Sequence, residues 1–154
     1  MGRNRRTPTA LLERAPAVDW RQVTDAMVAA GSSLDAIADA LFVPKPTLQS
    51  WRAGHQPNHA DGQAVLTLHE RMLNAAARVN EPFRRPPPTN WGTVISDMQN
   101  AGFSLRDIGG AIGVARSTVR TWQQGAAPGF EAGRALLMLS ETVRPYVEAA
   151  RQAA

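Results

Sequence analysis

The chain has 154 residues, a formal net charge of +4 at pH 7 and a sequence pI near 10.9, a balance that favours an acidic partner such as nucleic acid. The absence of cysteine excludes zinc ribbons, thiol catalysis and disulfide bonds, and it fits a cytosolic protein. No apolar run approaches the roughly 18 residues of a membrane span and no signal-peptide pattern opens the sequence, so we expect a cytoplasmic protein without a membrane partner.

Residues 1–16 show no helical periodicity and carry a cluster of arginines. Two interpretations of this basic tail stay open. It is either an arm that reaches into the minor groove or along the backbone of DNA, or a solvated terminus. The arginines concerned are Arg3, Arg5 and Arg6.

A first helix is predicted over Asp19–Gly31, because Asp19 can cap its start and the apolar residues that follow lie on one stripe. The same pattern returns over Asn90–Gly102. Trp20 and Trp91 each begin such a stripe, so we expect both rings in a core rather than on a ligand.

A helix, a tight turn and a second helix are predicted over Ser104–Gln124, SLRDIGGAIGVARSTVRTWQQ. Gly109 lets the two helices approach closely, and Gly113 supplies the positive φ that the turn requires. The second helix leaves on its outer side polar groups of the kind that bind base edges and phosphates. They are Arg116, Ser117, Arg120, Thr121 and Gln123.

The same stretch occurs twice, because a gapless shift of 71 residues places residues 33–52 on residues 104–123. The match extends into the flanks, where Trp20 falls on Trp91 and Met27 on Met98. We therefore predict a duplicated domain. The organisation is a basic tail at 1–16, a first domain at 17–80, a linker at 81–89 and a second domain at 90–154.

Both stretches resemble the helix-turn-helix of the lambda repressor/Cro-like (XRE-type) family, and the resemblance covers about residues 17–80 and 88–150. It implies an all-α protein of two tandem four-helix domains, in which the second helix of each motif enters the DNA major groove. It also implies sequence-specific binding to double-stranded DNA, usually to control transcription by occluding a promoter. Ser33 and Ser104 begin the two motifs, where each can cap a helix and contact a phosphate.

The first copy departs from the family pattern at its turn. Phe42 replaces the turn glycine and must adopt a strained conformation or force a different turn. Prolines flank the first residue of its recognition helix, where proline is tolerated. We expect weaker base recognition here than in the second copy, through Lys45, Gln49, Ser50 and Arg52.

Fourth helices are predicted at about residues 59–78 and 130–150, and Pro145 should kink or end the second of them. Their apolar surface is wider than one small core needs. It serves either as ordinary core or as a surface for packing between repeats or between chains, which would make a homo-oligomer. The residues off the main stripe are Leu66, Leu73, Leu137 and Tyr146.

The linker at 81–89 contains three consecutive prolines, which favour an extended, semi-rigid spacer. About nine residues at ~3.1 Å each reach about 28 Å, comparable with the ~34 Å between major-groove faces one turn apart. Arg84 and Arg85 add positive charge for DNA contact. We therefore expect one chain to bind a bipartite site.

The histidines do not indicate a metal site, because Pro57 breaks the helix that would align His55 with His59, and His69 has no ordered partner. No nucleotide-binding loop or hydrolase motif occurs, and carboxylates form no catalytic pair. We expect no metal, no cofactor and no enzymatic activity.

The combined prediction is a compact DNA-binding transcriptional regulator, a repressor associated with the nucleoid. Lys45 is the only lysine in a chain rich in arginine and alanine, which suggests a GC-rich bacterial or phage genome. Two alternatives remain. One is a DNA-recognition component of a larger assembly for phage packaging, partition or recombination, and the other is a protein-interaction module that kept the fold.

Overall fold

The computed structural model describes residues 17–74 and 83–153. Within these ranges the chain forms eight helices and no strand, which confirms the predicted all-α class. None of the described helices is both long enough and apolar enough to cross a membrane. The helices are α1 (Trp20–Ala29), α2 (Leu34–Leu41), α3 (Lys45–Arg52), α4 (His59–Leu73), α5 (Trp91–Asn100), α6 (Leu105–Ile112), α7 (Arg116–Gln123) and α8 (Phe130–Ala153).

The described chain divides into two compact units whose bounds differ from those of the predicted domains. The first unit holds residues 17–74 and 83–88 together with 129–131, and the second holds 89–128 and 132–153. Residues 83–88 were predicted as linker, and 129–131 were predicted in the second domain. The first unit therefore takes in Gly129 and the first two residues of α8.

Each unit encloses its own apolar core beneath its first helix. Asp19 caps α1 by accepting a hydrogen bond from the Gln22 amide, as predicted, and Asn90 caps α5 from the Thr93 amide. Such caps satisfy amides that have no partner inside the helix. Both tryptophans of the predicted stripes are buried, so their assignment to a core is confirmed. The largest buried side chains are Met27, Ile37, Leu41, Leu48, Val65 and Phe130 in the first core, and Ile95, Met98, Ile108, Val119, Leu136 and Leu139 in the second.

Phe130 completes the first core from a position far along the chain. Its ring meets the Trp20 ring edge-on at a centroid distance of 4.8 Å and stacks on the His59 ring at 5.6 Å. The Phe130 amide donates a 2.9 Å hydrogen bond to the Pro57 carbonyl. Gly62 in α4 leaves the space for the ring, because a Cβ atom there would overlap it. His59 and Phe130 occupy equivalent positions of the 71-residue repeat.

His59 gives the first unit a pH-dependent stability. Burial lowers the pKa of its imidazole below the usual value of 6.5. Below that value the unfolded chain takes up a proton that the folded unit resists, so the free energy of unfolding should fall as the pH drops. One such proton contributes at most about 1.4 kcal/mol per pH unit. Urea unfolding between pH 7.5 and 5 measures the slope, and His59→Gln should remove it. An unchanged slope in that variant would assign the pH dependence to other groups.

The segment after residue 82 is attached to the first unit. Phe83 packs against the first core, and Arg85 donates to the Leu41 carbonyl at 2.9 Å and to the Asp61 carboxylate at 2.5 Å. The prediction of an extended spacer that needs no core is therefore wrong for Phe83 and Arg85. Arg84 is exposed, and the first two linker residues lie outside the described ranges.

The fourth helices use most of their extra apolar width inside their own units. Leu66 packs against the first core, and Leu137 and Tyr146 pack against the second, whereas Leu73 is 58% exposed. Little of this surface is left to support the predicted homo-oligomer. Pro145 does not end α8, which continues to Ala153.

Candidate nucleic-acid interface

The second unit presents α6, a three-residue turn and α7, as the sequence pattern predicts. Ser104 and Asp107 form a capping box in which each side chain accepts from the other residue's amide at 3.0 Å. Gly113 ends α6 at φ 79°, in the left-handed region. These two features fix where α6 begins and ends.

Gly109 sets how closely the turn approaches α6. A Cβ atom at this position would lie 2.6 Å from the carbonyl oxygen of Val114, which is rigid backbone. The predicted role of Gly109 is thus confirmed. The neighbouring Gly110 differs, since a Cβ atom there meets nothing within 4 Å.

Gly109→Ala and Gly110→Ala should therefore have opposite effects on stability. The first forces α6 and the turn apart, and overpacking of this kind costs about 1–3 kcal/mol. The second replaces an exposed helical glycine and should stabilise the unit by up to about 1 kcal/mol. Thermal unfolding of both variants measures the difference. Equal effects would show that the turn does not depend on this close approach.

α7 separates its residues into a buried and an exposed face. Val119 and Trp122 are buried in the second core. Arg116 and Arg120 lie one turn apart on α7, and their guanidinium groups form no ion pair with any residue of the described ranges. The exposed face consists of Arg116, Ser117, Arg120 and Thr121.

The start of α7 adds backbone donors to this face. Ala115 precedes the helix and cannot cap it through its side chain. Within the described chain the amides of Arg116 and Ser117 have no acceptor. Free amides at a helix start attract anions, and the two arginines increase that attraction.

Gln123 follows Arg116 by seven residues and lies on the same stripe of α7, but its side chain is half-buried against α5 rather than exposed. Its amide nitrogen donates to Ser96 at 3.2 Å and to Gln99 at 2.5 Å, both on α5. This geometry supports a role in positioning α7 rather than the predicted base contact. Thr121 remains exposed, with its hydroxyl donating to the Ser117 carbonyl at 2.8 Å.

The first motif begins and turns as its sequence indicates. Ser33 caps α2 by accepting from the Ala36 amide at 3.1 Å. Phe42 adopts φ 57° and ψ 39°, so of the two alternatives that the sequence left open, a strained conformation or a different turn, the structure shows the first. Ser33 and Ser104 both remain exposed while they cap.

The cationic residues of α3 interact with nearby carboxylates. Arg52 donates to the Thr24 hydroxyl at 2.7 Å and pairs with Asp25 at 2.9 Å. Arg52 therefore fixes α3 on α1, as the equivalent Gln123 fixes α7 on α5. Lys45 pairs with Asp35 at 3.1 Å. Of the remaining predicted contacts, Gln49 is exposed, Ser50 is half-buried, and Arg3, Arg5 and Arg6 lie outside the described residues.

Exposed charges distinguish the two motifs. On α6 and α7 they are three guanidinium groups, a net charge of +3, whereas on α2 and α3 they are two carboxylates and one ammonium, a net charge of −1. The sequence reasoning missed Arg106, whose place in the first turn of α6 was the available signal. The residues are Arg106, Arg116 and Arg120 in the second motif, and Asp35, Asp39 and Lys45 in the first.

The histidines are dispersed. His59 is stacked on Phe130, and a ring nitrogen of His55 lies 3.3 Å from the Ser50 carbonyl oxygen. Among residues 17–74 and 83–153, no three histidine, cysteine or carboxylate side chains form a group that could hold a metal ion.

Each unit thus carries two short helices joined by a tight turn, and only the second motif gathers exposed arginines around that turn. The features that bear on function are the exposed face of α7 and the contrast in charge. Comparisons with known proteins found no matching family model, no matching curated protein and no matching solved structure.

Proposed function

We propose that this chain is a transcriptional regulator that binds double-stranded DNA in a sequence-specific manner and represses by occluding a promoter. The observation that carries the proposal is the exposed cluster of Arg106, Arg116 and Arg120 on α6 and α7. In this proposal α7 enters the major groove.

The chemistry of the cluster suits both kinds of protein–DNA contact, those to phosphates and those to base edges. In this proposal Arg106 and the free amides at the start of α7 contact phosphates, which position a protein on the duplex. Arg116 and Arg120 project from the exposed side of α7, where a guanidinium group can donate two hydrogen bonds to one guanine. The buried Val119 and Trp122 hold the opposite side of the helix rigid.

The bipartite form of the proposal requires the first motif to bind a second groove. The exposed charges of the first motif sum to −1, which supports this less well than the exposed +3 of the second motif; with the half-buried Arg52 and Asp107 included, the sums are 0 and +2. The attachment of Phe83 and Arg85 to the first unit also shortens the free spacer. We therefore assign base recognition to α7.

Fluorescence anisotropy with a mixed-sequence duplex tests the proposal. The affinity should fall between 50 and 200 mM salt, with a slope of log K of about −0.9 per neutralised phosphate. Arg106→Gln should make the slope shallower by about 0.9, while Asp35→Asn, at the equivalent position of the first motif, should leave it unchanged. Absence of binding at low salt would overturn the proposal.

A further inference from the structure

The exposed face of the first motif is apolar at its turn as well as acidic. Two residues of the turn and one in the first turn of α3 are apolar and exposed, and the ring of Phe42 is 82% exposed. A face of this composition is unusual for a surface that contacts phosphates, which is polar and positively charged. The apolar residues are Phe42, Pro44 and Pro46, where the second motif has Gly113, Ala115 and Ser117.

Phe42 holds its ring in solvent at a conformational cost. It is the only residue other than glycine with positive φ in the described chain. The left-handed conformation crowds the Cβ atom of any L residue, and Gly113 avoids this at the equivalent position. The amides of Phe42 and Val43 donate to the Asp39 and Ala38 carbonyls at 3.2 and 3.1 Å, so the backbone of the turn is held by the end of α2, whereas the ring itself has no place in the first core. A strained residue that keeps a large apolar ring in solvent motivates the hypothesis of a contact site.

The surrounding groups select the chemistry of what binds. The ammonium group of Lys45 is neutralised by Asp35, which leaves the carboxylate of Asp39 as the net charge of the face. Pro46 has no amide to donate, so the first turn of α3 offers fewer donors to an anion than α7 does. A phosphate is therefore disfavoured here, and a cationic group is favoured.

We propose that the exposed face of α2 and α3 is a docking surface for a protein partner whose apolar pocket is bordered by arginine or lysine. Phe42 is the anchor that fills the pocket, and Asp39 pairs with its basic edge. One aromatic anchor on a rigid turn is the arrangement that concentrates binding energy in protein interfaces, because little flexibility is lost on binding. This inference goes beyond DNA binding and does not depend on it.

Selection of a phage-displayed library of small folded domains on the immobilised full-length protein tests the proposal. The enriched domains should carry an apolar pocket bordered by arginine or lysine. By calorimetry, a purified domain from the selection should bind Phe42→Gly at least tenfold more weakly than the unaltered chain, and Asp39→Arg at least threefold more weakly. Glycine accepts the left-handed turn, so Phe42→Gly should keep the melting temperature of the unaltered chain or raise it. Phe42→Asn, which also tolerates this conformation, provides a second variant.

Three results would overturn the proposal. Failure to enrich domains whose binding depends on Phe42 would show that the surface does not dock into a partner's apolar pocket. A tenfold loss of duplex affinity in Phe42→Gly would assign the ring to DNA. A dimer by light scattering that becomes a monomer in Phe42→Gly would assign the face to a second copy of the chain. The expected duplex affinity of Phe42→Gly is within twofold of the unaltered chain.

Discussion

Arg120→Ala is expected to weaken binding to the preferred DNA site by about 5- to 150-fold while leaving most of the affinity for unrelated duplex. The physical reason is that a bidentate contact between arginine and guanine discriminates by about 1–3 kcal/mol, whereas phosphate contacts do not depend on sequence. Arg120 is exposed in the middle of α7 and has no ion-pair partner in the described chain. Anisotropy titrations with the preferred site and with a scrambled duplex give both affinities.

The equivalent residue of the first motif provides a matched control. Gln49 is exposed on α3 as Arg120 is on α7, so Gln49→Ala removes a side chain from the corresponding position. We expect it to change neither affinity by more than about twofold. If Arg120→Ala lowered specific and nonspecific affinity together, Arg120 would be a phosphate contact. If Gln49→Ala reduced specificity as strongly, the first motif would also read bases.

Phe130→Ala is expected to destabilise the first unit by about 3–5 kcal/mol, although the residue lies at the start of α8. Removing a buried phenylalanine loses its burial and leaves a cavity, and this ring contacts both Trp20 and His59. A small unit has little stability to lose. Hydrogen exchange with mass spectrometry should show faster exchange in peptides from α1 and α4.

Leu139→Ala is the control for the second unit. Leu139 is 1% exposed in the other core, so its truncation should accelerate exchange in α5–α7 and leave α1 and α4 protected. A chain that ends at Pro88 should behave like Phe130→Ala, because it lacks the ring altogether. If Phe130→Ala left α1 and α4 fully protected, the first core would be stable without this residue.

Local chemistry explains which parts of the fold could be predicted from the sequence. Ser104 three residues before Asp107 encodes a cap, and Gly113 encodes the left-handed turn, because neighbours in the chain satisfy both requirements. The strained turn at Phe42 was predictable for the same reason, since its position in the repeat is that of a glycine. The helix starts and the buried face of α7 follow from such local patterns.

Contacts between distant residues were not predictable in this way. Phe130 joins the first unit through Trp20, His59 and Gly62, and a repeat alignment assigns it to the second domain. The sequence predicted Arg85 to be a free cation in a linker. Its guanidinium group instead donates hydrogen bonds to the Leu41 carbonyl and the Asp61 carboxylate in the first unit. Tertiary packing decides both cases, and periodicity carries no information about it.

The candidate interface was predictable in position but not in detail. The pattern of α7 identifies its exposed residues, because the buried Val119 and Trp122 define the opposite face. The sequence patterns of α3 and α7 did not distinguish Arg52 and Gln123 from residues that face solvent. The side chains of these two residues form hydrogen bonds with the first helix of their units. That distinction depends on which polar groups α1 and α5 present.

Selection from a library of randomised duplexes tests the central claim most directly. We predict that the intact chain enriches one short contiguous motif and that Arg120→Ala no longer enriches it, because α7 supplies the base contacts. Two motifs enriched at a fixed spacing would contradict the assignment of recognition to α7 alone and would restore the bipartite site. Recovery of no motif, with duplex binding that depends only on salt, would contradict the claim that this protein recognises a DNA sequence.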